Sequence, residues 1–323
     1  MEMNLQRDQA ITAGINKILA RPHLSPEMIA MINSSLNAES ETGKSFKWAH
    51  LTLMTCECVS GVYEVALPGA IAMELAALAI DIFDDIQDQD HDDLPWRQIP
   101  TANALNLAIC LSMLSSKAVS TLPDDRDSRL YLEIVQTLSH MWITCSDAQF
   151  QDALFETREQ VTLDQYFELV KRKSGSLTAC ACKIGATLGG GSESLVLQLE
   201  EFGTYLGIMS QIRNDWNDFL DFEQKKDFVN NKKTLPYVYL LNNLKGNTAE
   251  RFKELTQMNA NGLQRFGEEE QGYLKQLVID EGVAHYCRVM YELFRHKSME
   301  IIQATPVPEK RKEKMIKLVK ENV

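Results

Sequence analysis

Residues 74–88 read Glu-Leu-Ala-Ala-Leu-Ala-Ile-Asp-Ile-Phe-Asp-Asp-Ile-Gln-Asp, an apolar run that ends in carboxylates. Its aliphatic residues recur at the three- and four-residue spacings of a helix rather than the alternation of a strand. At about 100° per residue, Asp84, Asp85 and Asp88 fall within one arc of about 100°. Like charges on one helical face repel, and the (i, i+4) pair is costly without a cation. Magnesium takes oxygen ligands, keeps several waters, and is satisfied by one or two carboxylates plus substrate phosphates. This face suits such a site. The bland alternative is a solvated acidic helix end, since Asp90, Asp92 and Asp93 follow.

Residues 207–218, Gly-Ile-Met-Ser-Gln-Ile-Arg-Asn-Asp-Trp-Asn-Asp, repeat the arrangement. Asn214, Asp215 and Asp218 occupy the same 0, +1, +4 positions after another apolar helix, and Asn offers a hard cation a neutral oxygen. Helical bundles build metal sites from inward-facing side chains, so the two faces are expected to point at a shared cluster. Arg97 follows the first motif, and Lys225, Lys226, Lys232 and Lys233 follow the second. Metal ions and fixed cations together absorb the charge that develops on a diphosphate leaving group.

Outward from these motifs the helical periodicity covers almost the whole chain. Only 16 glycines and 9 prolines punctuate 323 residues, which favours long helices over a turn-rich β architecture. Ser25-Pro26-Glu27 reads as an N-cap followed by proline at N1. Thr162 and Gln165 have capping-box spacing. Breaks are expected near 21–25, 37–44, 122–128, 188–194, 221–233, 245–248 and 304–309. The expectation is one all-α domain over residues 1–323, with ten or more helices.

The formal net charge of −12 argues against nucleic acid and anionic lipid as partners. The seven cysteines form no CxxC pair and read as small buried apolar side chains in a reducing compartment. No signal peptide is visible at the N-terminus. The apolar stretch 70–83 is interrupted by Glu74 and Asp81 and is short for a bilayer, so no transmembrane segment and a cytoplasmic location are expected.

Several motifs in order resemble the trans-polyprenyl diphosphate synthase family. Asp84-Asp85-x-x-Asp88 is similar to its first aspartate-rich motif, and Arg97 with Pro100-Thr101-Ala102-Asn103 to the arginine and PTAN-type segment. Ala148-Gln149-x-x-Asp152, Lys173-Ser174, Gln211 through Asp218, and Lys232-x-Thr234-Leu235-Pro236 resemble the GQxxD, KT/KS, second aspartate-rich and KxTLP elements. The departures cluster. The GKxxRP segment of the isopentenyl diphosphate site would be Gly43-Lys44-Ser-Phe-Lys47-Trp48, and the first arginine of the RR pair is Trp96. This pattern resembles the ComQ-type branch, whose members prenylate a tryptophan of the ComX pheromone precursor.

The resemblance implies a single large helical bundle of the isoprenoid synthase type with a central cavity, assembled as a homodimer. It implies magnesium as cofactor, an allylic prenyl diphosphate (geranyl or farnesyl) as donor, and a ComX-type precursor peptide as acceptor, within quorum sensing and competence. By the same resemblance, Asp84, Asp85, Asp88, Asn214, Asp215 and Asp218 bind metal. Lys44, Lys47, Arg97, Lys173, Gln211, Lys226 and Lys232 contact diphosphate, and Asp84, Asp85 and Lys173 carry the catalysis. The main alternative is a synthase that condenses the allylic donor with isopentenyl diphosphate. A terpene cyclase and a silent partner subunit share parts of the pattern. A relaxed P-loop at Ala38-x-x-x-x-Gly43-Lys44-Ser45 lacks the preceding strand and carries Glu39 and Glu41, which would repel phosphate.

Overall fold

The computed structural model describes residues 2–20, 23–41, 46–89, 91–122, 128–219, 231–260 and 267–321. Lys44, Lys225 and Lys226, with the rest of the P-loop-like stretch 42–45, lie outside the described residues. Among the described residues there is no strand. The α-helices are α1 (Glu2–Leu19), α2 (Pro26–Glu41), α3 (Lys47–Ser60), α4 (Leu67–Asp88), α5 (Thr101–Val119), α6 (Ser128–Glu156), α7 (Leu163–Val170) and α8 (Ser176–Leu188). They continue as α9 (Glu193–Phe219), α10 (Leu235–Asn243), α11 (Gly246–Ala260), α12 (Glu268–Asp280), α13 (Val283–Ala304) and α14 (Glu309–Glu321). The all-α expectation holds, and the local start signals work as read. Ser25 Oγ accepts from Met28 N at 3.2 Å, with Pro26 opening α2, and Thr162 and Gln165 form a reciprocal capping box on α7. Breaks that the sequence reading did not anticipate fall after Gly61, at a φ of 87°, and between α4 and α5.

The chain resolves into two compact units, each discontinuous in sequence. One comprises Met1–Trp142, Leu177–Gly203 and Glu300–Val323, the other Ile143–Ser176 and Thr204–Met299. The first is built around α4, which packs on α1, α3 and α5. Every residue from Gly69 to Ala79 is buried, as expected of a helix that is hydrophobic all round. Small side chains permit this crowding. Where α8 crosses α3, a Cβ on Gly185 would sit 2.3 Å from the Thr52 carbonyl oxygen, so only glycine fits. Six of the seven cysteines are buried, as read. Two helical stretches, Glu64–Asp88 and Thr101–Val119, have the length and hydropathy of a membrane span, and the apolar window of the first is 72% buried within the fold. Its length comes from the turn and the charged end that flank the 70–83 run, and its burial is that of a core helix.

The C-terminal helix of this unit is held by charge. Arg7 is buried, and its guanidinium donates to Glu57 Oε2 at 2.6 Å, as does the Lys314 ammonium of α14, also at 2.6 Å. Burial opposes the Glu57 charge, but the bonds from Lys314 and Arg7 outweigh it and hold the carboxyl below the usual glutamate range. A carboxyl with a depressed folded pKa adds stability that is present above its unfolded pKa and lost as pH falls through the folded one. Glu57→Gln is expected to destabilise the protein by about 3 kcal/mol, because it strands the buried Arg7 charge. Denaturant melts at pH 7 and at pH 3 check this: the gap between wild type and variant should close at the acid end.

Candidate active site

In the first unit the acidic motif forms the last turns of α4. The helix stops where Gln89 takes a left-handed conformation, φ 56°, its N–H bonded to the Asp85 carbonyl. The three carboxylates then diverge. Asp84 and Asp88 are half-buried and one turn apart. Asp85 is turned inward, 8% exposed, and both of its oxygens are engaged. Oδ2 accepts from Trp96 Nε1 at 2.8 Å, and Oδ1 lies 2.8 Å from His91 Nδ1. Trp96 lies on a single 3-10 turn, Pro95–Arg97. From that turn the Arg97 guanidinium reaches Asp92 at 2.9 Å. Lys47 opens α3, exposed, with its ammonium 4.9 Å from the Trp48 ring centroid.

The second unit repeats the divergence. Asn214 is exposed and Asp218 half-buried, while Asp215 between them is 3% exposed. Asp215 accepts three bonds: Gln211 Nε2 at 2.7 Å, the Tyr166 hydroxyl at 2.6 Å and Leu235 N at 2.7 Å. One carboxylate thereby joins α7, α9 and the first turn of α10, where a backbone N–H would otherwise lack a partner. Burial holds the Tyr166 phenol well above its usual range, with the Asp215 charge and hydrogen bond adding to it, so Tyr166 stays a proton donor. Gln211 in turn accepts from Ser174 Oγ at 2.5 Å.

Ser174 and Lys173 lie in a π-helical turn, Lys171–Gly175, between α7 and α8. Such turns redirect side chains and frequently mark functional sites. Lys173 pairs with Asp152 at 2.9 Å, so the elements resembling GQxxD and KT/KS do converge. Beside them Gln149 Oε1 is buried without a hydrogen-bond partner. Lys232 is half-buried. Its neighbour Lys233 is buried, with Nζ donating to the Asn231 carbonyl at 3.1 Å and lying 4.5 Å from the Tyr237 ring centroid. Burial pulls its pKa down to about 8, against the Glu156 charge.

The donor set fits magnesium. Each motif presents a separated pair of oxygen-bearing side chains, and among the described residues no three His, Cys, Asp or Glu side chains close into a cage. Open carboxylate pairs completed by water and substrate phosphate are the pattern magnesium takes. Trp96, His91 and Tyr166 were not among the expected site residues. Trp96 carried a signal as a departure from the arginine pair, and Lys233 was read as one of the cations that follow the second motif.

Comparison with known proteins agrees with the architecture. The sequence profile of the polyprenyl synthetase family matches residues 30–268. A short chain isoprenyl diphosphate synthase of Methanothermobacter thermautotrophicus is 30% identical, over 71% of this chain and 71% of its own. The tryptophan prenyltransferase ComQ of Bacillus spizizenii is 26% identical, over 72% of this chain and 77% of its own. The crystal structure of a polyprenyl synthetase from Streptomyces coelicolor superposes with a TM-score of 0.80 at 24% identity, covering 98% of both chains.

The geometry separates two roles by stability. Asp215→Ala strands two buried donors and a half-buried one and is expected to cost about 3 kcal/mol or more, whereas Asp218→Ala should leave the melting temperature of the metal-free protein within about 2 °C. Thermal unfolding in chelator reads both.

Proposed function

The chain belongs to the polyprenyl synthetase family, and from that premise we propose that it transfers the prenyl group of geranyl or farnesyl diphosphate to a tryptophan of a ComX-type precursor peptide, with magnesium as cofactor. Prenyl transfer is the activity of the family, and the fold is its all-α isoprenoid synthase fold. Magnesium, when bound, supplies positive charge to the departing diphosphate. Asp84 with Asp88, and Asn214 with Asp218, are the side chains that would hold it. Asp85 and Asp215 hold the helix ends that carry these pairs.

Lys173, Lys232 and Arg97 bind the allylic diphosphate in this reading, Gln211 orients it, and Lys226 belongs to the same cationic set. The present partner of Arg97 does not compete strongly. The Asp92 side chain is 73% exposed, and such pairs contribute about 1 kcal/mol or less. The apolar faces below the acidic ends keep water from the allylic cation.

The observation that carries the acceptor assignment is Trp96. An isopentenyl acceptor brings a second diphosphate and needs a second set of cations. Where the resemblance places that set, this chain has Lys47-Trp48 for Arg-Pro and Trp96 for the first arginine. Trp96 is committed to Asp85, and Lys47 lies against an indole ring. A peptide acceptor makes no such demand for cations. The second reading, chain elongation with isopentenyl diphosphate, is favoured by the synthase relative at 30% identity.

Purified protein with magnesium and geranyl or farnesyl diphosphate, offered the tryptophan-containing peptide in one reaction and isopentenyl diphosphate in another, decides between them by mass spectrometry. One prenyl mass on the peptide tryptophan, without elongated diphosphate, is the expected result, and elongation alone would overturn it. Asp84→Ala is expected to lower either activity at least a hundredfold.

We also propose a homodimer. On α5, Leu105, Ile109 and Met113 recur every fourth residue and are 38%, 52% and 63% exposed. An apolar stripe of this length on one helix is the seam a partner helix covers. Light scattering should give twice the 36.6 kDa chain mass, and Ile109→Glu with Met113→Lys should return the monomer.

A further inference from the structure

We propose that Trp96 is a positioning residue for the first acidic motif: its indole N–H holds Asp85 at the end of α4 and thereby sets how tightly Asp84 and Asp88 bind a divalent cation. The inference rests on the magnesium reading above and assigns to Trp96 a task that no contact with substrate would give it.

Three carboxylates at the C-terminal end of a helix are doubly disfavoured. They repel one another, and they sit at the negative end of the helix dipole. Asp85 bears the further cost of burial, since a buried carboxylate without hydrogen bonds is expensive. Trp96 meets that cost in a particular way. It is 2% exposed, and its turn packs on α2, α4 and α5, so the ring has no room to rotate away. Its one polar atom is a donor that can never accept, and it lies 2.8 Å from Asp85 Oδ2.

The indole is also neutral. It fixes Asp85 without bringing a positive charge against Asp84 and Asp88, so the field that draws a dication to those two side chains is undiminished. The bond closes a loop as well. The chain leaves the helix at Gln89, runs past Asp92 and Asp93, and returns to within hydrogen-bond distance of Asp85 through Trp96. Two more contacts stiffen the loop: Arg97 with Asp92 at 2.9 Å, and the Gln98 amide donating to the Asp92 carbonyl. Partners that orient a metal ligand from outside are commonly worth tenfold to a hundredfold in metal affinity, and Trp96 orients the helix end that carries two.

The test reads metal affinity rather than turnover. Magnesium is titrated calorimetrically into the full chain in the presence of inorganic diphosphate, for wild type, Trp96→Phe, Trp96→Gln, Asp85→Asn, Asp84→Asn and Asp84→Ala. Trp96→Phe keeps an aromatic ring and removes the donor, and is expected to weaken magnesium about tenfold. Trp96→Gln restores a neutral donor and should recover at least part of that loss. Asp85→Asn keeps an acceptor oxygen for the indole and removes one charge, so it should lose less affinity than Asp84→Asn, which removes the same charge together with a ligand.

Trp96→Phe binding within twofold of wild type would overturn the proposal. So would equal losses in Trp96→Phe and Trp96→Gln, which would reduce Trp96 to packing. A loss in Asp85→Asn as large as that in Asp84→Asn would make Asp85 itself a ligand and end the positioning role, and this arm remains readable if Trp96→Phe does not fold. Asp84→Ala is the control for the underlying reading: wild-type magnesium binding there would remove the metal site itself, whatever Trp96 does.

Discussion

A buried carboxylate has to be given hydrogen bonds, and the two acidic motifs are arranged around that requirement. In each, the residue at the +1 position turns into the protein and the residues at 0 and +4 stay toward the surface. Asp85 is satisfied by Trp96 and His91. Asp215 is satisfied by Gln211, Tyr166 and the first N–H of α10. The donors are unrelated in sequence and chemistry, yet the outcome is the same. One side chain of three becomes a fastener, and the other two stay one turn apart on the same side of the helix. The helix repeat makes this division natural, because +1 is rotated about 100° from 0 while +4 returns close to it.

The fasteners work because the elements that carry them are themselves held rigidly. The apolar length of α4 is buried from Gly69 to Ala79, so the end bearing Asp84 and Asp88 cannot drift without disturbing a packed core. In the other unit the π turn at Lys171–Gly175 aims Lys173 at Asp152 and Ser174 at Gln211. Gln211 passes the contact on to Asp215. A network of this kind has value only when every member is satisfied, and loss of its central carboxylate would be felt by three helices at once.

Charge is distributed with similar economy. The chain is acidic overall, at −12, so the cations near the motifs stand out against their background. Arg97 and Lys173 each rest against a carboxylate, Asp92 and Asp152. Lys233 is different. It is buried, and its charge is held by a carbonyl and an aromatic face, an arrangement that supports the 231–234 segment from inside.

Much of this could be read from the chain alone. The helical period of residues 74–88 and 207–218, the proline-led start of α2 and the capping box of α7 are local features. They depend on spacing and on side chains within one turn of each other, and the sequence states such relations directly. The identity of the oxygen donors and their 0, +1, +4 pattern are local in the same sense. Which of the three side chains turns inward is not. It depends on Trp96, eleven positions on and outside the helix, and on Tyr166 and Leu235, which approach Asp215 from other helices. The π turn at Lys171–Gly175 escapes the sequence too, because its residues have ordinary helical propensities and only the packing around them favours the wider turn. Periodicity determined that there would be helices with acidic ends. Burial, which no single segment can report, decided which side chain of each motif turns inward to hold the helix and which two keep some exposure.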